Sequence, residues 1–235
     1  MKQEEKAIKS LRKIKKILDT HKINYWLDEG TLLGAIREKK IIEWDHDIDL
    51  SIWYKDLEKI KPLFDEINKT GVEVCFFEGQ KHIDLVGKGF KIDINLYHLI
   101  EDKATRMWYA QNKFGEILDY LIWILHIKNP KIKVSKIPLF ITKHLVKLSN
   151  KLPISMNKNI SKTLFKIYET KGSKPIQMAV PSYYFINLTN LEFYGMSFKV
   201  PKKTEEYLEY RYGKDWRIPK RDYVYTNDDY SIVKN

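Results

Sequence analysis

Near the start of the chain, Ile8, Leu11, Ile14, Ile17 and Leu18 recur at three- and four-residue steps, the spacing of one helical face. The pattern predicts a helix over residues 3–21. NYWLD, Asn24 to Asp28, reads as a short strand, and Gly30 to Glu38 as a tight turn opening a helix. DIDLSIW, Asp47 to Trp53, alternates polar and apolar positions, the period of a half-buried strand. Asp56 to Lys69 predicts a helix stopped near Gly71. Val72–Phe77, His82–Val86 and Lys91–Tyr97 predict three further strands, with Gly79, Gly87 and Gly89 at the turns. The first hundred residues thus mix strands and helices around one sheet. Residues 104–170 read as mostly helical. Leu191–Tyr194 and Ser197–Val200 predict a hairpin about Gly195, Thr204–Tyr212 a helix ending at Gly213, and the polar tail after Arg221 is expected to be loose.

Composition narrows the class. The chain has 235 residues, 43% hydrophobic and 31% charged, which suits a folded globular protein and excludes a disordered one. The single cysteine, Cys75, excludes an intrachain disulfide framework and a cysteine-based zinc cluster. The polar start, MKQEEKAIKS, is unlike a signal peptide, and no window of 18 apolar residues predicts a transmembrane helix.

The net charge of +11 is concentrated. Between Lys128 and Lys174 stand 12 lysines and one acid, Glu169, while the rest of the chain is neutral with 30 basic and 30 acidic residues. The partner of that charge should therefore meet one segment. Lys143, Lys147 and Lys151 fall on one helical stripe, with Leu145, Val146, Leu148 and Leu152 on other faces. Lys158, Lys162 and Lys166 repeat the pattern beside Ile160, Leu164 and Tyr168. Basic amphipathic helices suit an anionic membrane surface, and the same pattern suits a helical subdomain with solvated lysines.

The chemistry is concentrated in YWLDEGTLLGAIREKKIIEWDHDIDLSIW, Tyr25 to Trp53. Asp47 and Asp49 lie two apart on a strand and share a face, while Ile48 and Leu50 point into the core. Crowded carboxylates repel one another, and a divalent cation relieves that repulsion; all-oxygen ligands suit Mg²⁺ or Mn²⁺. Asp93, in KIDINLY, sits on another predicted strand and completes a set of three suited to phosphoryl transfer. Gly30 lets a phosphate approach the backbone, a helix opening there aims N–H groups at it, and Thr31 and Arg37 add donors. Read alone, a D-x-D pair also fits exposed strand acids, Gly30 an ordinary turn, and Asp45 a cap ahead of the strand.

At these residues the sequence resembles the nucleotidyltransferase superfamily of polymerase-β-like folds, and more closely the LicD family that includes fukutin-related proteins. The resemblance rests on Gly30 to Gly34 (GTLLG), on Arg37, and on Trp44, Asp45, Asp47 and Asp49 in a W-D-x-D-x-D block. VPKKTEEYLEYRYGKDWRIP, residues 200–219, adds a Y-L-x-x-R-Y-G helix and a following Trp. The resemblance implies transfer of a phospho-alcohol, such as phosphocholine or ribitol phosphate, from a CDP-activated donor to a glycan hydroxyl, with release of CMP. By matching position, Asp47, Asp49 and Asp93 would hold the metal and carry catalysis. Gly30, Thr31, Gly34 and Arg37 would bind the donor, and Trp44 and Asp45 would shape its pocket. The chain departs from animal relatives that carry a cysteine-ligated zinc loop. His46 sits where an acid is common and is given no role.

The expected fold class is α+β: a nucleotidyltransferase-type mixed sheet flanked by helices, with a basic helical insert. The expected division is a core over residues 1–103, a basic helical subdomain over 104–190, and a hairpin, helix and tail over 191–235 that pack back on the core. The expected partners are a CDP-alcohol donor, a glycan acceptor on a lipid carrier, and an anionic membrane surface met by Lys143, Lys147, Lys151, Lys158, Lys162 and Lys166. That places the protein in the cytoplasm, on the inner membrane face, in surface-glycan synthesis such as lipopolysaccharide, capsule or teichoic acid. The competing reading is a nucleotidyltransferase acting on RNA or a small molecule, as tRNA- and antibiotic-modifying enzymes do. The neutral charge of residues outside the basic segment counts against nucleic acid.

Overall fold

A computed structural model describes residues 3–45, 47–77, 79–128 and 138–233. His46 and the Lys131, Lys133 and Lys136 portion of the basic segment lie outside the described residues. The chain opens with α1 (Gln3–Thr20), β1 (Tyr25–Leu27), α2 (Glu29–Arg37) and β2 (Asp47–Trp53). Two short helices, α3 (Leu57–Ile60) and α4 (Phe64–Asn68), precede β3 (Glu73–Cys75), β4 (His82–Val86), β5 (Lys91–Ile100) and β6 (Lys103–Gln111). Helices α5 (Lys113–His126), α6 (Leu139–Ser149) and α7 (Ile154–Ile167) lead to β7 (Ser173–Pro181) and the short α8 (Tyr183–Ile186). The hairpin β8 (Leu188–Phe193) and β9 (Met196–Pro201), then α9 (Thr204–Tyr212) and α10 (Tyr225–Asp228), complete it.

The strands run in the order β1-β2-β5-β4-β3, with β2 and β5 parallel and the other neighbours antiparallel. The far end of β5 pairs β6, and β6 pairs β7 along its whole length. The α+β class with a mixed sheet flanked by helices is therefore as expected.

Side chains alternate across a strand, so β2, β4 and β5 divide cleanly. Ile48, Leu50 and Ile52, Ile83 and Leu85, and Ile92, Ile94 and Leu96 are all at most 2% exposed and form an aliphatic layer. The alternate positions carry Asp47, Asp49, Ser51, His82, Asp84, Asp93 and Asn95, all on the other face. Burial of the first set fixes the register, because a one-residue slip would exchange the two faces. Helix α1 adds Leu11, Ile14 and Leu18, the residues its spacing singles out, to the same core. Trp26, Trp53, Tyr97 and Phe185 add an aromatic cluster, with Trp26 and Phe185 stacked at 4.7 Å between centroids.

Four local expectations need correction. The helix expected over Asp56–Lys69 is broken into α3 and α4 by a 3₁₀ turn at Lys61–Leu63, where Pro62 supplies no amide. Residues 104–111 of the stretch read as helical belong to β6, because their pairing with β5 and β7 overrides local preference. Gly30 does not precede α2 but lies within its first turn, since Asp28 is the N-cap. The tail after Arg221 is not loose: Ala179 N–H donates to Ser231 O at 2.9 Å, Val233 N–H to Gln177 O at 2.9 Å, and Asp229 is buried.

Helix α5 joins the helical part to the sheet: Tyr120, Trp123, Ile124 and Val146 cluster with Cys75 of β3 and Val86 of β4. Lys143, Lys147, Lys151, Lys158, Lys162 and Lys166 are all exposed. Phe140 and Ile154, 74% and 75% exposed, lie on the same pair of helices. Among the described residues no helix is long and apolar enough to cross a membrane.

Candidate active site

The parallel pairing of β2 with β5 places Asp49 opposite Asp93 and Asp47 opposite Lys91. The antiparallel pairing of β5 with β4 then places Asp84 opposite Asp93. Four carboxylates thus form a row across three strands on the polar sheet face. Asn95 Nδ2 donates to Asp49 Oδ1 at 3.3 Å. The Lys91 ammonium stands 2.7 Å from Asp93 Oδ2, 3.7 Å from Asp84 Oδ1 and 3.9 Å from Asp47 Oδ2. Asp84 also receives Gln80 Nε2 at 2.9 Å and meets His82 Nε2 at 3.1 Å. Among the described residues Asp93 Oδ1 is buried without a hydrogen-bond partner.

The electrostatics follow from this crowding. Burial first, then the charges of Asp47, Glu29, Asp93 and Asp45, push Asp49 well above the usual carboxylate range. Burial also raises Asp93, to about 6, with Lys91 opposing the rise and Asp84 adding to it. For Asp84, burial is outweighed by His82, Lys91 and the Gln80 hydrogen bond, which hold its carboxyl below the usual range.

The row fits a hard cation by its donor chemistry: carboxylate oxygens only, mutual repulsion to relieve, and one buried oxygen with no partner. Among the described residues no group of three or more His, Cys, Asp or Glu side chains is placed to hold a metal ion as it stands. The row is an open set of ligands on one side, the arrangement usual for Mg²⁺ that keeps water and substrate phosphate as its remaining ligands. It opens on a cavity of about 760 Å³. Asp47, His82, Asp84 and Lys91 line it together with Trp108 and Tyr109 of β6 and with Asp119, Trp123 and Phe165. That volume suits a small-molecule ligand.

The remaining sequence candidates have definite places. Thr31 is buried, and its Oγ1 accepts from the Asp49 backbone N–H at 2.8 Å, so it ties α2 to the carboxylate strand. A Cβ at Gly30 would stand 2.2 Å from Asp45 Oδ2, so the glycine makes room for that carboxylate. A Cβ at Gly34 would stand 2.6 Å from the Lys40 carbonyl, which gives this glycine a reason in the chain's own packing. Arg37 donates to Glu38 Oε1 at 2.7 Å and to the Trp216 carbonyl at 3.3 Å, and its side chain is 8% exposed. Trp44 packs against the core and carries the Arg221 guanidinium 4.7 Å from its ring centroid. Hence Asp47, Asp49 and Asp93 are brought together, whereas Thr31 and Arg37 are engaged by the protein itself.

Gly34→Ala is a test with a definite sign. Helix propensity alone predicts stabilisation of about 1 kcal/mol. The clash with the Lys40 backbone carbonyl, which cannot swing aside as a side chain can, predicts a net loss of roughly 1–3 kcal/mol, read as a lower urea midpoint. A raised midpoint would contradict the contact.

Sequence reasoning missed a buried charged network behind the row. Asp28 receives Tyr207 Oη at 2.6 Å and Ser51 Oγ at 2.8 Å. Arg211, 1% exposed, donates to Glu29 Oε2 at 2.7 Å and ion-pairs with Asp229. Arg106 Nη1 lies 3.2 Å from Glu29 Oε1, with its guanidinium 4.3 Å from the Trp108 ring centroid. Glu29 itself takes φ +49°, a left-handed conformation costly for a non-glycine residue. The available signals were the acids Asp28 and Glu29 just before GTLLG, and the Arg of the Y-L-x-x-R-Y-G helix.

Residues 22–108 match the family described as LicD/FKTN/FKRP, nucleotidyltransferase domain. The chain is 30% identical over 95 residues to the uncharacterized protein RT0683 of Rickettsia typhi, covering 40% of this chain and 29% of that protein. It is 43% identical over 47 residues to the ribitol 5-phosphate transferase FKRP of Homo sapiens, covering 20% of this chain and 10% of that protein. It is 25% identical to the lipopolysaccharide cholinephosphotransferase LicD of Haemophilus influenzae, over 86% of each chain. The matches to two Rickettsia proteins span only 29% and 21% of those relatives' lengths. Over residues 22–108, which hold the whole carboxylate row, the chain is thus similar to the LicD family.

Proposed function

We propose that the protein is a metal-dependent phosphotransferase that moves a phospho-alcohol from a CDP-activated donor to a glycan hydroxyl and releases CMP. The observation that carries this reading is the in-register row of Asp47, Asp49 and Asp93, which meets a ligand-sized cavity at Asp47, within the LicD-matching segment. FKRP and the Haemophilus LicD, both named as transferases of such groups, support the same reaction class.

Asp47, Asp49 and Asp93 would hold Mg²⁺ or Mn²⁺, which when bound supplies positive charge at the transferring phosphate. Asn95 steadies Asp49 through its 3.3 Å bond, and Thr31 holds the Asp49 backbone. Asp93 is a third ligand or, through the unpartnered Oδ1, the acceptor of the glycan hydroxyl proton. Its value of about 6 leaves it mostly ionised, and so able to accept that proton, at neutral pH. The experiment is a panel of CDP-choline, CDP-ribitol, CDP-glycerol and CDP-ethanolamine with Mg²⁺, scored by binding and CMP release. Binding and turnover of at least one donor is expected; turnover of a nucleoside triphosphate with pyrophosphate release instead would show nucleotidyl transfer.

The same reading places α6 and α7 on an anionic membrane surface carrying the acceptor. Five exposed lysines on those helices and Lys151 in the turn between them support it, together with exposed Phe140 and Ile154. Each lysine near such a surface contributes about 1 kcal/mol. Replacing Lys143, Lys147, Lys158 and Lys162 by Gln is expected to lower cosedimentation with phosphatidylserine vesicles strongly. Unchanged sedimentation would mean that the lysines are only solvated.

A further inference from the structure

We propose that Lys91 is a built-in cation of the carboxylate row, standing where a second divalent ion would otherwise find its ligands, so that the site takes one metal ion. The inference rests on the reading of Asp47, Asp49 and Asp93 as a metal site.

Lys91 lies on β5 two residues before Asp93, on the same sheet face, and directly opposite Asp47 of β2. Its ammonium reaches Asp93 Oδ2 at 2.7 Å and stands within 4 Å of both Asp84 and Asp47. It therefore occupies the space between these three carboxylates, one on each of three neighbouring strands. An ammonium is a compact point charge, so it keeps a second cation out both by volume and by repulsion.

The carboxylate oxygens divide accordingly. Asp93 gives Oδ2 to Lys91 and keeps Oδ1 without a partner, which leaves one oxygen for a metal shared with Asp49 opposite. Asp84 is served by Gln80, His82 and Lys91 and so does not need a metal; it anchors the lysine instead. Lys91 also lines the cavity that a substrate phosphate would enter. A row of four acids with a lysine in its midst thus has one half closed by the protein's own charge and one half open to an ion.

The test is the number of Mn²⁺ ions bound, measured by titration calorimetry and by the electron paramagnetic resonance of free Mn²⁺, with Mn²⁺ alone as the probe. The wild type and Lys91→Arg are expected to bind one ion, and Lys91→Gln and Lys91→Met two. Circular dichroism confirms that each variant is folded. Two ions in the wild type would overturn the inference while leaving the metal site standing. One ion in folded Lys91→Gln or Lys91→Met would also overturn it, leaving the lysine a structural ion pair. No ion in the wild type would remove the metal reading and this inference with it.

Discussion

Asp49→Asn is expected to lower turnover by about a thousandfold while leaving the metal-free protein as stable as the wild type, or more so, at neutral pH. Asp49 is buried among Asp47, Glu29, Asp93 and Asp45, and its carboxyl is held well above the ordinary value. A folded-state value above the unfolded one means that the folded protein binds more protons in the interval between them. Stability therefore falls as pH rises through that interval. Asp93, raised to about 6, acts in the same direction. Each should thus contribute a decline in stability of the metal-free wild type as pH rises above about 4, against the opposite contribution of His126, which burial lowers to about 4. Asparagine at 49 removes its part of that decline, and its side chain can still meet Asn95. Thermal melts of both proteins with EDTA, at several pH values, make the check. A variant less stable than the wild type at neutral pH would show that the carboxylate is a structural group and not one poised for a cation.

The other large effect is expected at Arg211. This side chain is 1% exposed and is shared by Glu29 and Asp229, with Asp28 Oδ1 at 3.8 Å. Replacing it by Met keeps the volume but strands buried acids without their cation. Breaking a buried ion pair in this way costs about 3–5 kcal/mol. In a chain of this length that lowers the melting temperature by roughly 10 °C. Arg211→Lys should lie between, because an ammonium cannot serve Glu29 and Asp229 with the fork that a guanidinium presents. Arg211 also joins the C-terminal tail to the first residue of α2, whose charge reaches Asp49. Turnover of the Met variant at temperatures where it remains folded should therefore fall as well. An unchanged urea midpoint would mean that the network contributes little.

The parts of the fold legible in the sequence are those where one rule acts alone. Alternation in β2, β4 and β5 predicted the strands and the shared face of Asp47 and Asp49, because burial of the isoleucine and leucine layer leaves no other register. The same alternation put Asp93 on a compatible strand, and parallel pairing then set it opposite Asp49. Strand β6 was illegible because it depends on partners in β7 that lie between 62 residues (Gln111 with Ser173) and 78 residues (Lys103 with Pro181) away. The tail was illegible for the same reason: its polar residues are ordered by Arg211 and by the edge of β7. Motif residues carry no statement of what they touch. Thr31 and Arg37 read as phosphate donors by type, yet the fold engages one with a backbone N–H and the other with Glu38 and Trp216. Lys91 and Arg211 looked like two more lysines and arginines among 42, and only their neighbours set them apart.

The central claim is phosphoryl transfer at Asp47, Asp49 and Asp93. Its most direct test uses a CDP-alcohol labelled on the phosphate next to the alcohol, incubated with Mg²⁺ and a glycan acceptor. Labelled acceptor and unlabelled CMP are expected in equal amounts, with neither formed by Asp49→Asn. Label retained wholly in the intact donor across the CDP-alcohol panel, or wild-type turnover by Asp49→Asn, would contradict it.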